Sequence, residues 1–173
     1  DPESYFPATK VPILADAVNA ACDTIDGIKD GILDDPRQCK FDPAQLLCKP
    51  GHDGQSCFTD KQVKAVKDIW GGAHTSSGEL VFPGLVPGGE AGQSGWASWI
   101  LGSGPFTSTH WTAADGFFKY MVFEDPKWDF RRFNYDTDVP QALAKVGEML
   151  DAADPKLQAL QLRRGKLIMY HGW

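Results

Sequence analysis

Apolar positions recur at helical spacing in several separate stretches of the chain. Val11, Leu14, Ala17, Val18 and Ala21 fall on one face of a helix over residues 11–22, and Pro12 suits its first turn. Thr59 and Gln62 form a capping pattern ahead of the stripe Val63, Val66 and Ile69, which Gly71-Gly72 stops. The spacing predicts a helix over residues 112–123 and another from Asp138, with Pro140 in its first turn and Leu143, Val146, Met149 and Leu150 on its face. A shorter helix is predicted from Asp154-Pro155 to a point before Gly165. Residues 23–57 are polar and dense in Asp and Gly, and residues 73–95 are glycine-rich, so both read as loop, the second with at most a loose hairpin. The run Lys166-Leu167-Ile168-Met169-Tyr170-His171-Gly172 is apolar and follows a glycine. It reads as a buried strand of the kind found in parallel sheets covered on both faces, which implies that the chain is a piece of something larger.

Composition narrows the choice. The 173 residues, 42% of them apolar, fit one domain with a sizeable core. No apolar run reaches the length of a membrane span, so no membrane partner is expected. The first residues carry neither a basic nor an apolar leader region, so a signal peptide is absent or removed. A net charge of −6 with little clustering of basic residues argues against nucleic acid and suits a neutral ligand or a hard cation. The four cysteines, at positions 22, 39, 48 and 57, lack the close pairs that zinc requires; their even number reads as two disulfides and places the chain outside the cytoplasm, secreted or periplasmic.

The densest chemistry lies in Cys22-Asp23-Thr24-Ile25-Asp26-Gly27-Ile28-Lys29-Asp30-Gly31-Ile32. Three carboxylates stand within eight residues, separated by two Asp-Gly turns. Calcium takes six to eight oxygens at flexible geometry, and Gly lets the backbone curl so that the carbonyls of Ile28 and Ile32 can join Asp23, Asp26 and Asp30. The plainer reading of the same residues is a pair of solvated turns. The loop is not an EF-hand, because Ile25 stands at the third position and no closing Glu follows.

A nucleophile elbow would read Gly-x-Ser-x-Gly. Gly92-Gln93-Ser94-Gly95-Trp96 and Gly102-Ser103-Gly104 both miss it, and His52, His74, His110 and His171 have no obvious carboxylate partner. Residues 96–135 hold a block of aromatics that serves as core or lines a groove for a flat ligand.

The acidic run followed by Asp35-Pro36-Arg37-Gln38-Cys39 resembles the calcium loop in the lid of the tannase and feruloyl esterase family. Phe82-Pro83-Gly84, Gly95-Trp96-x-x-Trp99, Tyr120-Met121-Val122-Phe123, Phe133-Asn134-Tyr135-Asp136 and Arg164-Gly165-Lys166-Leu167-Ile168-Met169-Tyr170-His171-Gly172-Trp173 match in order and extend the resemblance over nearly the whole chain. The resemblance implies an α/β-hydrolase whose core strands are interrupted by a large lid. Its serine would lie before Asp1, and its acid and histidine beyond Trp173, so no catalytic residue is expected here. By position it implies calcium held by the side chains of Asp23, Asp26 and Asp30 and the carbonyls of Ile28 and Ile32. It implies disulfides Cys22–Cys39 and Cys48–Cys57, against the competing pairing Cys22–Cys57 with Cys39–Cys48. It assigns Trp99 to the aromatic acyl part of an ester, with Phe106, Phe117, Phe118 and Phe123 as further substrate-binding candidates.

The expected fold is therefore α+β: a mainly helical, loop-rich lid over residues 1–162, and a returning core strand of the α/β-hydrolase over residues 163–173. The expected function is that of the lid of a secreted hydrolase of phenolic esters (feruloyl, galloyl or related), working through a serine acyl-enzyme. Its partners would be an aromatic ester and the missing hydrolase core, and the chain alone would be inactive. One rival is an autonomous, calcium-stabilised, disulfide-stapled binding module for aromatic or sugar ligands. Another is the lid of an inactive relative that lacks the serine.

Overall fold

The computed structural model describes residues 2–51, 54–92, 95–151 and 156–170. Helix α1 runs Val11–Cys22 and α2 runs Asp60–Gly71, both where periodicity places them. The capping box of α2 is complete: the Thr59 side chain accepts from the Gln62 amide, and the Gln62 side chain accepts from the Thr59 amide. Gly72 ends the helix at φ 82°, a conformation that suits glycine.

A short antiparallel hairpin follows, β1 (Ala73–His74) with β2 (Leu80–Phe82), pairing Ala73 with Phe82 and His74 with Leu80. This is the loose hairpin of the glycine-rich stretch. It forms the single sheet among the described residues, so the architecture is α+β with helix dominant.

The main core joins α1 and α2 to distant loops. Phe6, Leu14, Val18, Phe58 and Val66 are fully or almost fully buried, and Trp96 and Leu101 close the layer from far along the chain. Phe6 meets Phe58 edge-on, with ring centroids 5.0 Å apart. The buried Lys10 ammonium is held by the Cys57 carbonyl at 2.7 Å and by Gln62 Oε1 at 2.8 Å, so one glutamine both caps α2 and satisfies a buried cation. Disulfides Cys22–Cys39 and Cys48–Cys57 staple this half, with Cα atoms 5.4 and 4.9 Å apart. The competing pairing does not occur.

The second half departs from the sequence-based boundaries. Helix α3 starts at Thr109, because buried Ser108 accepts from the Trp111 amide as N-cap, and runs to Gly116; a π-helical stretch then carries the chain through Phe117–Val122. Helix α4 is Tyr135–Ala142, not a helix from Asp138. The Asn134 side chain accepts from the Asp136 amide, and Asp138 accepts from the Asn134 amide, so Asp138 closes the cap from within. Pro140 then lies inside the helix, where its missing N–H forfeits a backbone bond, and the chain continues as a π-helical stretch over Leu143–Gly147 and as α5, Glu148–Leu150. Helix α6 is Gln158–Leu162; the predicted start at Asp154-Pro155 lies outside the described residues.

The predicted closing strand is not formed over its described part, residues 166–170. A strand exists only by pairing, and the described residues offer it no neighbour. Its side chains stand in solvent: Ile168 is 89% exposed and Tyr170 96%. His171, Gly172 and Trp173 lie outside the described residues.

Candidate functional site

The acidic loop follows α1 directly. Asp23 is the last turn's continuation and is buried; its Oδ1 accepts from the Gly31 amide at 2.7 Å and the Asp30 amide at 3.3 Å. One carboxylate thus pins the far side of the loop back onto the end of α1. Asp26 Oδ1 accepts from the Ile28 amide at 2.8 Å, and Asp30 Oδ1 from the Ile32 amide at 3.0 Å. Gly27 and Gly31 sit at φ 92° and 79°, so the two Asp-Gly-Ile triplets are repeats of one turn. The sequence suggests that the Ile28 and Ile32 side chains anchor the loop in the core, but they are 59% and 60% exposed; the buried residue that ties the loop down is Asp23. The Cys22–Cys39 bridge closes the segment at its base.

The donor chemistry suits a hard cation, since the loop offers only oxygens, and each carboxylate has one oxygen outside the hydrogen bonds just given. Among the described residues, however, no group of three or more acidic, histidine or cysteine side chains is gathered around a common point. An ion bound here would have to draw the carboxylates inward.

Next to this loop lies an open hollow of about 600 Å³. Gly31 and Ile32 form one wall, Leu85 to Gly89 a second, and Trp96, Trp99 and His110 the third. Trp99 sits on a π-helical turn, Ala97–Leu101, which buries Leu101 on one side and leaves Trp99 41% exposed on the other. The Trp99 and His110 rings meet edge-on with centroids 4.9 Å apart. The candidate cation loop and the candidate aromatic contact therefore line the same hollow, a juxtaposition no spacing rule could supply. His110, which has no obvious carboxylate partner in the sequence, lines the same space.

The other aromatic candidates lie elsewhere. Phe106, at φ 64°, packs between Trp111 and Phe130 at 5.8 and 5.2 Å. Phe118 and Phe123 stack with Trp128 at 5.5 and 5.2 Å, and Phe117 meets Phe118 at 5.1 Å. Phe117 and Phe118 also line a separate apolar groove with Val139, Leu143 and Val146. The structure thus brings Phe117, Phe118 and Phe123 together and holds Trp99 and Phe106 apart from them.

No acyl-transfer machinery is assembled among the described residues. His74 Nδ1 faces the Gly72 carbonyl and His110 faces Trp99; neither bonds a serine or a carboxylate. Ser103 pairs with Thr107. Gln93, Ser94, His52 and His171 lie outside the described residues.

The sequence model described as Tannase and feruloyl esterase matches residues 1–173. The chain is 34% identical over 182 aligned residues to an uncharacterized esterase of Xanthomonas campestris, covering 99% of this chain and 31% of that protein. It is 32% identical to a probable feruloyl esterase B of Aspergillus clavatus, covering 98% of this chain and 31% of the relative. The crystal structure of feruloyl esterase B from Aspergillus oryzae superposes with a TM-score of 0.76 at 26% identity, over 95% of this chain and 31% of that one. A tannin acyl hydrolase from Aspergillus niger shares the fold at 18% identity and a TM-score of 0.64. The chain spans about a third of the length of these relatives.

Proposed function

Because the chain belongs to the tannase and feruloyl esterase family, we propose that it is the lid of a secreted or periplasmic hydrolase of phenolic carboxylic esters. The serine, its histidine and its acid belong to segments outside these 173 residues, and the reaction is an acyl transfer to that serine followed by hydrolysis. The lid's own share is to seat the aromatic acyl group, hold it against the core and keep water out until the acyl-enzyme has formed.

The observation that carries this reading is the hollow at Trp99. It is apolar, large enough for one substituted ring, and carries a half-exposed indole whose edge-on partner is an imidazole. Phe106, Phe117, Phe118 and Phe123 enter the proposal as aromatic support or as a second apolar contact. The run Leu167 to Tyr170, with its exposed apolar side chains, is the surface proposed to enter the hydrolase core as a strand. Calcium is proposed as the ion of the acidic loop, with Asp23, Asp26 and Asp30 and the Ile28 and Ile32 carbonyls as its holders. Its contribution is structural: it would neutralise the crowded carboxylates and stiffen the wall that Gly31 and Ile32 give to the hollow.

The test compares the isolated chain with the same chain joined to its flanking coding sequence, using methyl ferulate and following acid release. The joined protein hydrolyses the ester and the isolated chain does not. Turnover by the isolated chain, in proportion to its concentration, refutes the placement of the nucleophile. Failure of the joined protein on feruloyl, galloyl and terephthaloyl esters alike refutes the assigned reaction.

A further inference from the structure

Glu90 is completely buried, yet it makes no ion pair among the described residues. A buried carboxylate is ordinarily matched by a cation or by a full set of donors, because desolvation opposes its charge. Here Oε2 accepts from the Gly88 amide at 2.9 Å, while Oε1 is buried with no hydrogen-bond partner. The Trp70 indole N–H is also buried without a partner in hydrogen-bond geometry, but it lies close enough to the Glu90 carboxyl to favour its charged form. Burial pushes the Glu90 carboxyl above the usual range, opposed by the Glu90 and Gly88 amides and by the Trp70 indole. A leucine would fill the space without that penalty, so the loop's need for this residue lies in what its polar atoms hold.

The side chain holds one wall of the hollow, and the backbone of the same residue holds the next. The carboxylate fixes Gly88, which lines the hollow beside Gly89. The Glu90 carbonyl accepts from the Trp96 amide at 2.9 Å, and the Gly95 carbonyl accepts from the Trp99 amide at 3.3 Å. The turn is wound so tightly around Glu90 that a Cβ at Gly95 would collide with the carbonyls of Glu90, Gly89 and Gly92. Trp70 meets Trp96 edge-on at 6.4 Å and backs the same turn from α2. Glu90 therefore sits behind the wall that carries Trp99 and touches neither the hollow nor the indole itself.

We propose that Glu90 is a positioning residue that sets the orientation of Trp99 toward the aromatic ligand, its carboxyl acting through the Gly88 amide and through the Trp70 indole that backs Trp96. The proposal rests on the reading of the hollow as the acyl-group contact. Substituting Glu90→Gln keeps the shape and one acceptor for Gly88, but its amide hydrogens conflict with the indole N–H of Trp70 if they occupy the Oε1 position.

The experiment uses the full-length parent protein with methyl ferulate as probe. In Glu90→Gln the KM rises about tenfold while kcat stays within about twofold, since loss of uniform ring binding moves KM alone. The thermal midpoint at neutral pH holds or rises, because a buried charge has been removed. In a Trp99→Ala background Glu90→Gln has no further effect on KM, as expected when one residue acts through the other. An unchanged KM, an effect that adds fully to Trp99→Ala, or a fall in the midpoint that accounts for the loss of affinity overturns the proposal. If the wild-type protein is inactive on phenolic esters, the functional reading fails by itself. Glu90 is then judged by the Trp99 indole proton resonance, assigned by its loss in Trp99→Phe: a shift in Glu90→Gln supports positioning, and an unmoved resonance overturns it.

Discussion

Asp23 is the residue on which the acidic loop hangs, and Asp23→Ala tests this without reference to any metal. The substitution removes the acceptor for two amides, one at 2.7 Å and one at 3.3 Å. Hydrogen bonds to charged groups contribute about 1.5–3 kcal/mol each, but the longer one is weak and the freed amides of exposed Asp30 and Gly31 can turn to water. The expected loss is about 2 kcal/mol, or about 4–8 °C in thermal midpoint for a chain of this size. Calcium adds a second layer: an ion bound only by the folded state stabilises by about 2.7 kcal/mol at a hundredfold excess over Kd. Asp26 is exposed and bonds only the Ile28 amide, so Asp26→Ala separates the two effects. Scanning calorimetry is run on protein shown to be metal-free by elemental analysis, then with calcium or magnesium. Wild type gains with calcium and less with magnesium, Asp26→Ala loses the gain but little else, and Asp34→Ala keeps it. A metal-free Asp23→Ala protein that melts within about a degree of wild type refutes the hinge. A full calcium response in Asp26→Ala refutes the ligand set.

Two further expectations concern the same half of the chain. The bridges span 17 and 9 residues, and on the chain-entropy account each stabilises by about 3 kcal/mol, so Cys48→Ser with Cys57→Ser lowers the unfolding free energy from urea titration by a comparable amount and reduction of both bridges roughly doubles the effect. Non-reduced peptide mapping checks the pairing, and free thiols at all four positions would contradict it. The Asp35 carboxyl is held down to about 2, chiefly by the Arg37 side chain, which bonds both its oxygens at 2.7 and 2.9 Å. A depressed carboxylate contributes stability above its unfolded value of about 4 and loses it as pH falls toward 2. Arg37→Ala therefore flattens the acid limb in that window, by a small amount because both groups face solvent. An unchanged limb in urea titrations refutes the attribution.

The first half of the chain was legible because its signals are local. The stripe of α1, the Thr59–Gln62 box and the glycine stop of α2 each depend on neighbours within one or two turns, and all three are in the structure. The α3 and α4 boundaries went astray where several capping residues compete. Thr107-Ser108-Thr109 and Asn134 through Asp138 each offer more than one start, and the choice falls to whichever side chain reaches an amide in the packed context. The closing apolar run reads as a strand by composition, but strand formation is a property of a pair, and its described residues have no partner here.

The aromatic block defeated sequence reading for a different reason. Twelve rings over forty residues all look alike to a spacing rule, and only packing sorts them. Phe118, Phe123 and Trp128 spend their faces on one another, whereas Trp99 is turned outward by a π-helical turn whose other side is anchored by buried Trp96 and Leu101. The hollow it faces draws on four separated segments, near residues 31–36, 85–89, 95–100 and 110. No local pattern marks such a site. Glu90 is the extreme case: an acid in a glycine-rich stretch has the sequence signature of a solvated loop, and only its burial reveals it as the support of the wall. Side chains of a candidate site are visible in sequence when they repeat in a pattern, as Asp23, Asp26 and Asp30 do, and invisible when their work is to hold another residue still.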